Sequence, residues 1–361
     1  MADAQIASRW RLGLEVRQDM PAVQQAALIL AGLAAGLLIA ALILVAAGVG
    51  FGALYTEFVV SIFSSPQALS AVFVQAAPLL IVGLAAAIAF RVRFWNIGLE
   101  GQMIFGSIFC TWVAISDLGP QPSQLLLMFA AAALGGMLWV AVPLFLRLRF
   151  NLSEIISTLL LNYVALNFLL HLLYGRWKDP KSSFPNSEQY DPWERLPLLG
   201  WENLTLALPL ALVLALVLWW LMDRSRFGFF SRFAHANPKM ARAVGIPLVP
   251  VMTAAVLMSG ALAGIAGFAI SAGIEYRMTQ SFFMGYGFSG ILIAFLARNN
   301  PLAAIPVAFL IAVLFVAGQS LQVFYQIPGA MVQLIQAIIV MTVAAADFFI
   351  RHRIHLLKGG R

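Results

Sequence analysis

The chain has 361 residues, of which 62% are hydrophobic and only 10% charged, against roughly 25% charge in an ordinary soluble domain. One soluble core cannot hide that much apolar surface, so the sequence specifies an all-α integral membrane protein and excludes a soluble enzyme. The formal charge of +7 does not point to nucleic acid, because the basic residues sit in short clusters at the ends of apolar runs, where they set membrane orientation.

The first 25 residues are polar and read as a cytoplasmic segment. No small-residue cleavage pattern follows the first apolar run, so residues 26–49 are expected to stay as an uncleaved span. Further spans of about 20 residues are expected at 67–90, interrupted by Pro78, and at 101–116, 124–146, 155–174, 204–222 and 248–271. A short piece at 288–297 ends at the break Asn299-Asn300-Pro301, followed by spans at 302–323 and 330–350. The expected total is about ten transmembrane helices within a transmembrane domain of residues 26–350, or eight if the pieces around Pro78 and Phe288 are re-entrant.

Charge supports this arrangement. With the N-terminus inside, 17 of the 22 Lys and Arg fall on the inner side, including Arg91, Arg93, Arg147, Arg149, the cluster of residues 223–247 and the basic tail 351–361. The outer insert, residues 175–203, holds Arg176, Lys178, Lys181 and Arg195 but balances them with Asp179, Glu188, Asp191, Glu194 and Glu202. Both termini are therefore expected in the cytoplasm. The insert is rich in Pro and Trp and reads both as a Trp-anchored interfacial loop and as a docking surface.

Absences narrow the chemistry. Cys110 is the sole cysteine, which excludes a disulfide within the chain. The four histidines lack zinc spacing, so no metal site is expected. No G-x-x-x-x-G-K-[ST] occurs, so the chain is not expected to hydrolyse ATP itself. Its carboxylates fall near span ends, whereas an ion-driven carrier more typically holds one deep within a span.

Three stretches carry polar groups into apolar surroundings. RVRFWNIGLEGQMIFG, residues 91–106, places Asn96, Glu100 and Gln102 between two apolar runs, with Gly98, Gly101 and Gly106 permitting close or non-helical backbone. Read from the residues alone, it is either a cytoplasmic turn or a break lining a cavity. NLSEIISTLLLNYVALN, residues 151–167, starts a helix at Ser153 and makes Ser157, Asn162 and Asn167 candidates for buried polar positions. Such groups either bond between helices or face a water-filled path. The third stretch, from Asp223, reads DRSRFGFFSRFAHANPKMARAVGIP. Asn237-Pro238 opens a helix of about two turns, which Gly245 closes. Met240 and Val244 share a face. Beyond it, Ser259, Ala263 and Gly267 form a small-residue stripe, and Gly260 with Gly264 gives GxxxG, a surface for close helix packing. Gly285 to Gly290 is expected to break a helix near the outer half of the membrane.

These three stretches, in this order, resemble permease subunits of bacterial ABC importers. The resemblance runs from about residue 76 to residue 349, and is closest to the branch handling nucleosides, simple sugars and branched-chain amino acids. FWNIGLEGQ is similar to that branch's FNIGxEGQ, with Trp95 and Leu99 departing from it, and the segment 151–167 is similar to NEVIxTxMLNYIA. The resemblance implies a multi-pass protein of the bacterial inner membrane. It implies Phe94, Trp95, Asn96, Glu100, Gln102, Asn162 and Tyr163 along a substrate path. It also implies that Asn237, Pro238, Met240, Ala241, Arg242, Val244 and Gly245 form a coupling helix that docks on a separate ATPase subunit, which binds the ATP. The remaining partners implied are an extracytoplasmic solute-binding protein and a second, similar or identical permease subunit. A nucleoside is the solute expected, with a sugar, an amino acid or an ion-coupled secondary carrier as alternatives.

Overall fold

A computed structural model describes residues 10–17, 20–280 and 285–358. In chain order its elements are β1 (Trp10–Val16), α1 (Ala22–Ala46), α2 (Phe51–Tyr55), α3 (Ser61–Ser64), α4 (Pro66–Arg91), α5 (Leu99–Ile115), α6 (Gln121–Phe150) and α7 (Glu154–Tyr174). There follow α8 (Ala207–Arg224), α9 (Arg226–Ala236), α10 (Pro238–Ala243), α11 (Leu248–Ile270), α12 (Tyr286–Leu296), α13 (Pro301–Tyr325), α14 (Gly329–Arg351) and β2 (His352–Lys358). Among the described residues, eight helices are long and apolar enough to cross a membrane, while α5 and α12 are shorter apolar helices.

The chain forms two compact units, one of residues 1–54 and 327–361 and one of residues 55–326. In the first, α1 packs on α14. Gly32 and Gly36 make the contact close, since a Cβ on Gly32 would lie 2.7 Å from the Ala346 side chain and one on Gly36 would strike Thr342. The segments read from sequence as a polar leader and a basic tail pair as an antiparallel ribbon, with Leu12 opposite Leu356 and Leu14 opposite Ile354. The two-residue alternation that permits this pairing is present in WRLGLEV.

In the second unit, α11 packs on α4, α5 and α6 at the centre. Glycine sets the distance. A Cβ on Gly136 would meet the Gly260 carbonyl and Gly264, one on Gly264 the Ala132 carbonyl, and one on Gly267 the Met103 carbonyl. The stripe on α11 is thus matched by small residues on α6 and α5. Ala263 is buried beside it, and Ser259 reaches the Ala85 carbonyl at 2.6 Å.

Pro78 does not interrupt the second span. α4 is one helix of 26 residues, and Pro78 is buried within it. Proline costs one intrahelical bond and crowds the preceding turn, but α4 packs on α8, α11, α12 and α13 and the helix continues through that position. The shorter apolar segments are instead α5, of 17 residues, and α12, of 11.

Candidate functional site

α4 ends in Arg91, whose guanidinium joins Asp223 at 3.2 Å; near the same end Arg147 meets Glu154 at 3.4 Å. From this basic end the chain turns at Arg93, whose φ of 58° is left-handed, and runs back among the helices before α5 begins. Asn96 is fully buried. It lies at the level of Ala85, six residues before Arg91 and so about 9 Å along α4. The two are joined through Ser259, whose hydroxyl accepts from Asn96 Nδ2 at 3.0 Å and donates to the Ala85 carbonyl.

Non-helical backbone at that depth must find protein partners, and it does. Asn96 and Gln102 exchange amide hydrogen bonds at 3.0 and 2.8 Å. Asn96 Oδ1 also accepts from the Gly98 N–H. Thr158 Oγ1 accepts from the Ile97 N–H at 3.2 Å. Asn162 donates to the Ile97 carbonyl and accepts from the Gly101 N–H, both at 2.9 Å. Gly98 and Gly101 sit where a Cβ would fall 2.9 Å from Thr158 and Asn162 respectively. Three sequence-predicted residues, Asn96, Gln102 and Asn162, are therefore brought together, and their amides hold a re-entrant segment in place. Thr158, missed by the sequence reading, completes the set; its hydroxyl on the turn facing Asn162 was the available signal.

Glu100 plays a separate part. It is 2% exposed. Its Oε1 accepts from the Gly285 N–H at 3.1 Å and its Oε2 from the Gly287 N–H at 2.5 Å. Gly285, with φ of 82°, is the N-cap of α12. A helix start leaves four N–H groups without intrahelical partners, and Glu100 satisfies two donors there while placing a carboxyl at the positive end of the helix dipole. α12 has eleven residues, about 16 Å, so it is half a span. Gly83 admits Ile293, and Gly290 admits Val82, along its contact with α4. Tyr286 donates to Gln75 at 2.6 Å. The N-termini of α5, of 17 residues, and of the half-span α12 thus meet at Glu100.

The aromatic residues divide. Phe94 is 1% exposed. Trp95 lies tilted against Phe90 and stacks on Phe295, with ring centroids 5.0 and 5.8 Å away, and is exposed. Tyr163 is exposed on α7, apart from the amide cluster.

The second candidate region is the loop 223–247. Asn237 Oδ1 accepts from the Lys239 and Met240 N–H groups, both at 3.1 Å, and Pro238 opens α10. Gly245 closes it with φ of 78°. Ala241 is buried, whereas Met240 and Val244 are 56% and 60% exposed beside exposed Arg242. The sequence reading missed α9, which Ser225 caps through the Gly228 N–H at 3.2 Å.

The insert is ordered rather than loose. Its Ser187, Tyr190 and Leu196 N–H groups donate to the carbonyls of Met278, Tyr276 and Ala272. Glu194 accepts from Gln124 Nε2 at 2.7 Å and from the Asp191 N–H at 2.8 Å, and burial pushes its carboxyl above the usual carboxylate range. Trp193, Arg195, Pro197 and Tyr276 line a cleft of about 660 Å³, with the Arg195 guanidinium 5.1 Å from the Tyr276 ring centroid.

Comparison with known proteins places these features in one class. Residues 68–344 match the family described as the branched-chain amino acid transport system permease component. A glucose ABC transporter permease protein of Haloferax volcanii is 34% identical over 84% of this chain and 82% of its own length. A guanosine ABC transporter permease protein of Bacillus subtilis is 30% identical over 88% of this chain and 91% of its own. A solved inward-facing structure of a metal-chelate type ABC transporter aligns with 89% of this chain and 99% of its own, at 20% identity and a TM-score of 0.46. The chain belongs to this permease family and is a multi-pass membrane component of an ABC transporter.

Proposed function

We propose that this chain is the transmembrane permease of an ATP-driven importer of nucleosides, working by alternating access with a separate ATPase, an extracytoplasmic solute-binding protein and a second permease subunit. The observation that carries the ATPase-driven reading is α10. A helix of six residues is unstable alone, yet here it is capped at both ends, and it presents Met240, Val244 and Arg242 outward. An exposed apolar pair on a basic, rigid stub suits a groove on another protein. The chain has no phosphate-binding loop of its own.

The nucleoside reading is supported by the guanosine permease relative and by Trp95, an exposed aromatic at the start of the re-entrant segment and of a residue type suited to stacking on a base. Asn96, Gln102 and Asn162 would then shape the path by fixing its backbone, with Glu100 holding the half-helix beside it. A sugar is the second reading, supported by the glucose permease relative. Uptake of labelled guanosine and glucose, in cells expressing the chain with and without a candidate ATPase, tests both. ATPase-dependent guanosine uptake is expected. ATPase-dependent glucose uptake alone would replace the nucleoside by a sugar. Uptake without the ATPase that collapses with the proton gradient would refute the ATP-driven reading.

A further inference from the structure

The mouth of the re-entrant segment is fastened to the loop that carries α10. Arg91 Nη2 donates to the Met222 carbonyl at 2.9 Å and to Asp223 Oδ1 at 3.2 Å, just before α9. Two residues later, Arg93 Nη2 donates to the Ala236 carbonyl at 3.4 Å, at the last residue of α9. One short stretch of chain therefore holds the last turn of α8 through Arg91 and the C-terminal end of the eleven-residue α9 through Arg93. The grip is reinforced on the α9 side, where Arg232 donates to the Asp223 carbonyl at 3.0 Å and pairs with its carboxylate at 3.5 Å. α9 buries Gly228, Ser231 and Ala234 along one face.

No slack separates these parts. Ala236 adjoins Asn237, the cap of α10. On the other side, Arg93 adjoins Phe94, which is buried, and Asn96 follows in the amide cluster. Arg93 takes up a left-handed backbone, which an L-residue adopts only where its surroundings fix it. Side-chain contact alone is a spatial argument; coupling needs an element that both sites move, and α9, tied to Arg93 at Ala236 and to Arg91 through Asp223, the partner that Arg91 shares with Arg232, is placed between them.

We propose that Arg91 and Arg93 are positioning residues that transmit displacement of α10, through α9, to the re-entrant segment and thence to the Glu100–α12 junction. This rests on the reading of α10 as the ATPase contact. Proteoliposomes containing the permease, its ATPase and its solute-binding protein provide the test, scoring ATP hydrolysis and solute uptake together. Arg93→Ala should leave hydrolysis within about 2-fold of wild type while uptake per ATP falls about 5-fold or more, the low end of ordinary coupling strengths. Arg93→Lys, which keeps a donor, should restore much of the ratio. An unchanged ratio in Arg93→Ala and in Arg91→Ala would overturn the proposal.

A second measurement needs no transport. In the full chain in nanodiscs, hydrogen exchange of Arg93→Ala should show residues 94–100 and 226–243 losing protection together, with α13 unchanged. Loss confined to 226–243 would overturn the link. If wild-type proteoliposomes show no ATP-dependent uptake, the importer reading fails, and the exchange experiment still decides whether the two segments are mechanically joined.

Discussion

Glu100→Ala is the most informative single change. It removes the two carboxyl oxygens that accept from the Gly285 and Gly287 N–H groups at a site that is 2% exposed. An orphaned buried donor costs about 1–3 kcal/mol, so losing both partners is expected to destabilise the α5–α12 junction by about 2–6 kcal/mol. Glu100→Gln should cost less, about 1–3 kcal/mol, because one oxygen still accepts while the new amide N–H₂ faces the other donor. Interhelical side-chain bonds in membranes average only about 0.6 kcal/mol. The larger figure is expected here because backbone donors at a helix start have no alternative acceptor on their own helix. Unfolding in mixed micelles with a rising fraction of denaturing detergent gives the free energies, and hydrogen exchange of residues 285–296 localises the loss. A cost for Glu100→Ala no greater than that 0.6 kcal/mol average, or one smaller than that of Glu100→Gln, would refute the capping argument.

The remaining predictions concern other parts of the molecule. Gly136→Val would drive a branched side chain into the Gly260 carbonyl and Gly264 backbone; since backbone cannot yield as a side chain does, a cost above the usual ~1–3 kcal/mol of overpacking is expected, read as lost folded yield by size exclusion. In the α10 region, Gly245→Pro forbids the observed φ of 78°, and Arg242→Glu reverses an exposed charge. Each is expected to uncouple ATP hydrolysis from uptake without loss of expression, and normal uptake in both would sink the assignment of α10. At the insert, folding raises the Glu194 carboxyl above its ordinary value of 4.5, so the folded state holds this proton more tightly than the unfolded state. Its contribution to stability is therefore present at low pH and lost as pH rises above 4.5 through the raised folded value. Thermal midpoints of wild type and Glu194→Gln, compared between about pH 4 and about pH 8, should converge at the acid end and separate at the alkaline end, with the wild type lower. Parallel curves would refute it.

Local signals were legible wherever the chemistry involved neighbours in sequence. Asn237 and Asn300 cap the helices that their Asn-Pro pairs announce, each accepting from two backbone N–H groups. Gly245 takes the left-handed φ its position after α10 suggested. The small-residue stripe on α11 was visible too, but its partner was not. Gly136 and Ala132 lie more than a hundred residues away, and only packing assigns them to Gly260 and Gly264. Pro78 misled because a local rule, the lost hydrogen bond, was overridden by four helices closing on α4.

Composition and hydropathy by themselves determined that this chain lives in a membrane and roughly where it crosses, because apolar length and end charges are properties of contiguous sequence. They also determined that Asn96, Glu100, Gln102 and Asn162 are polar groups in an apolar setting. Tertiary structure alone decided what those groups touch. It turned a stretch that could have been a surface loop into a re-entrant segment whose amides bond one another, and it set Glu100 on the start of a helix 185 residues further along the chain. The physical reason is that a buried polar group must find a partner, and which partner comes within 3 Å depends on the whole packing.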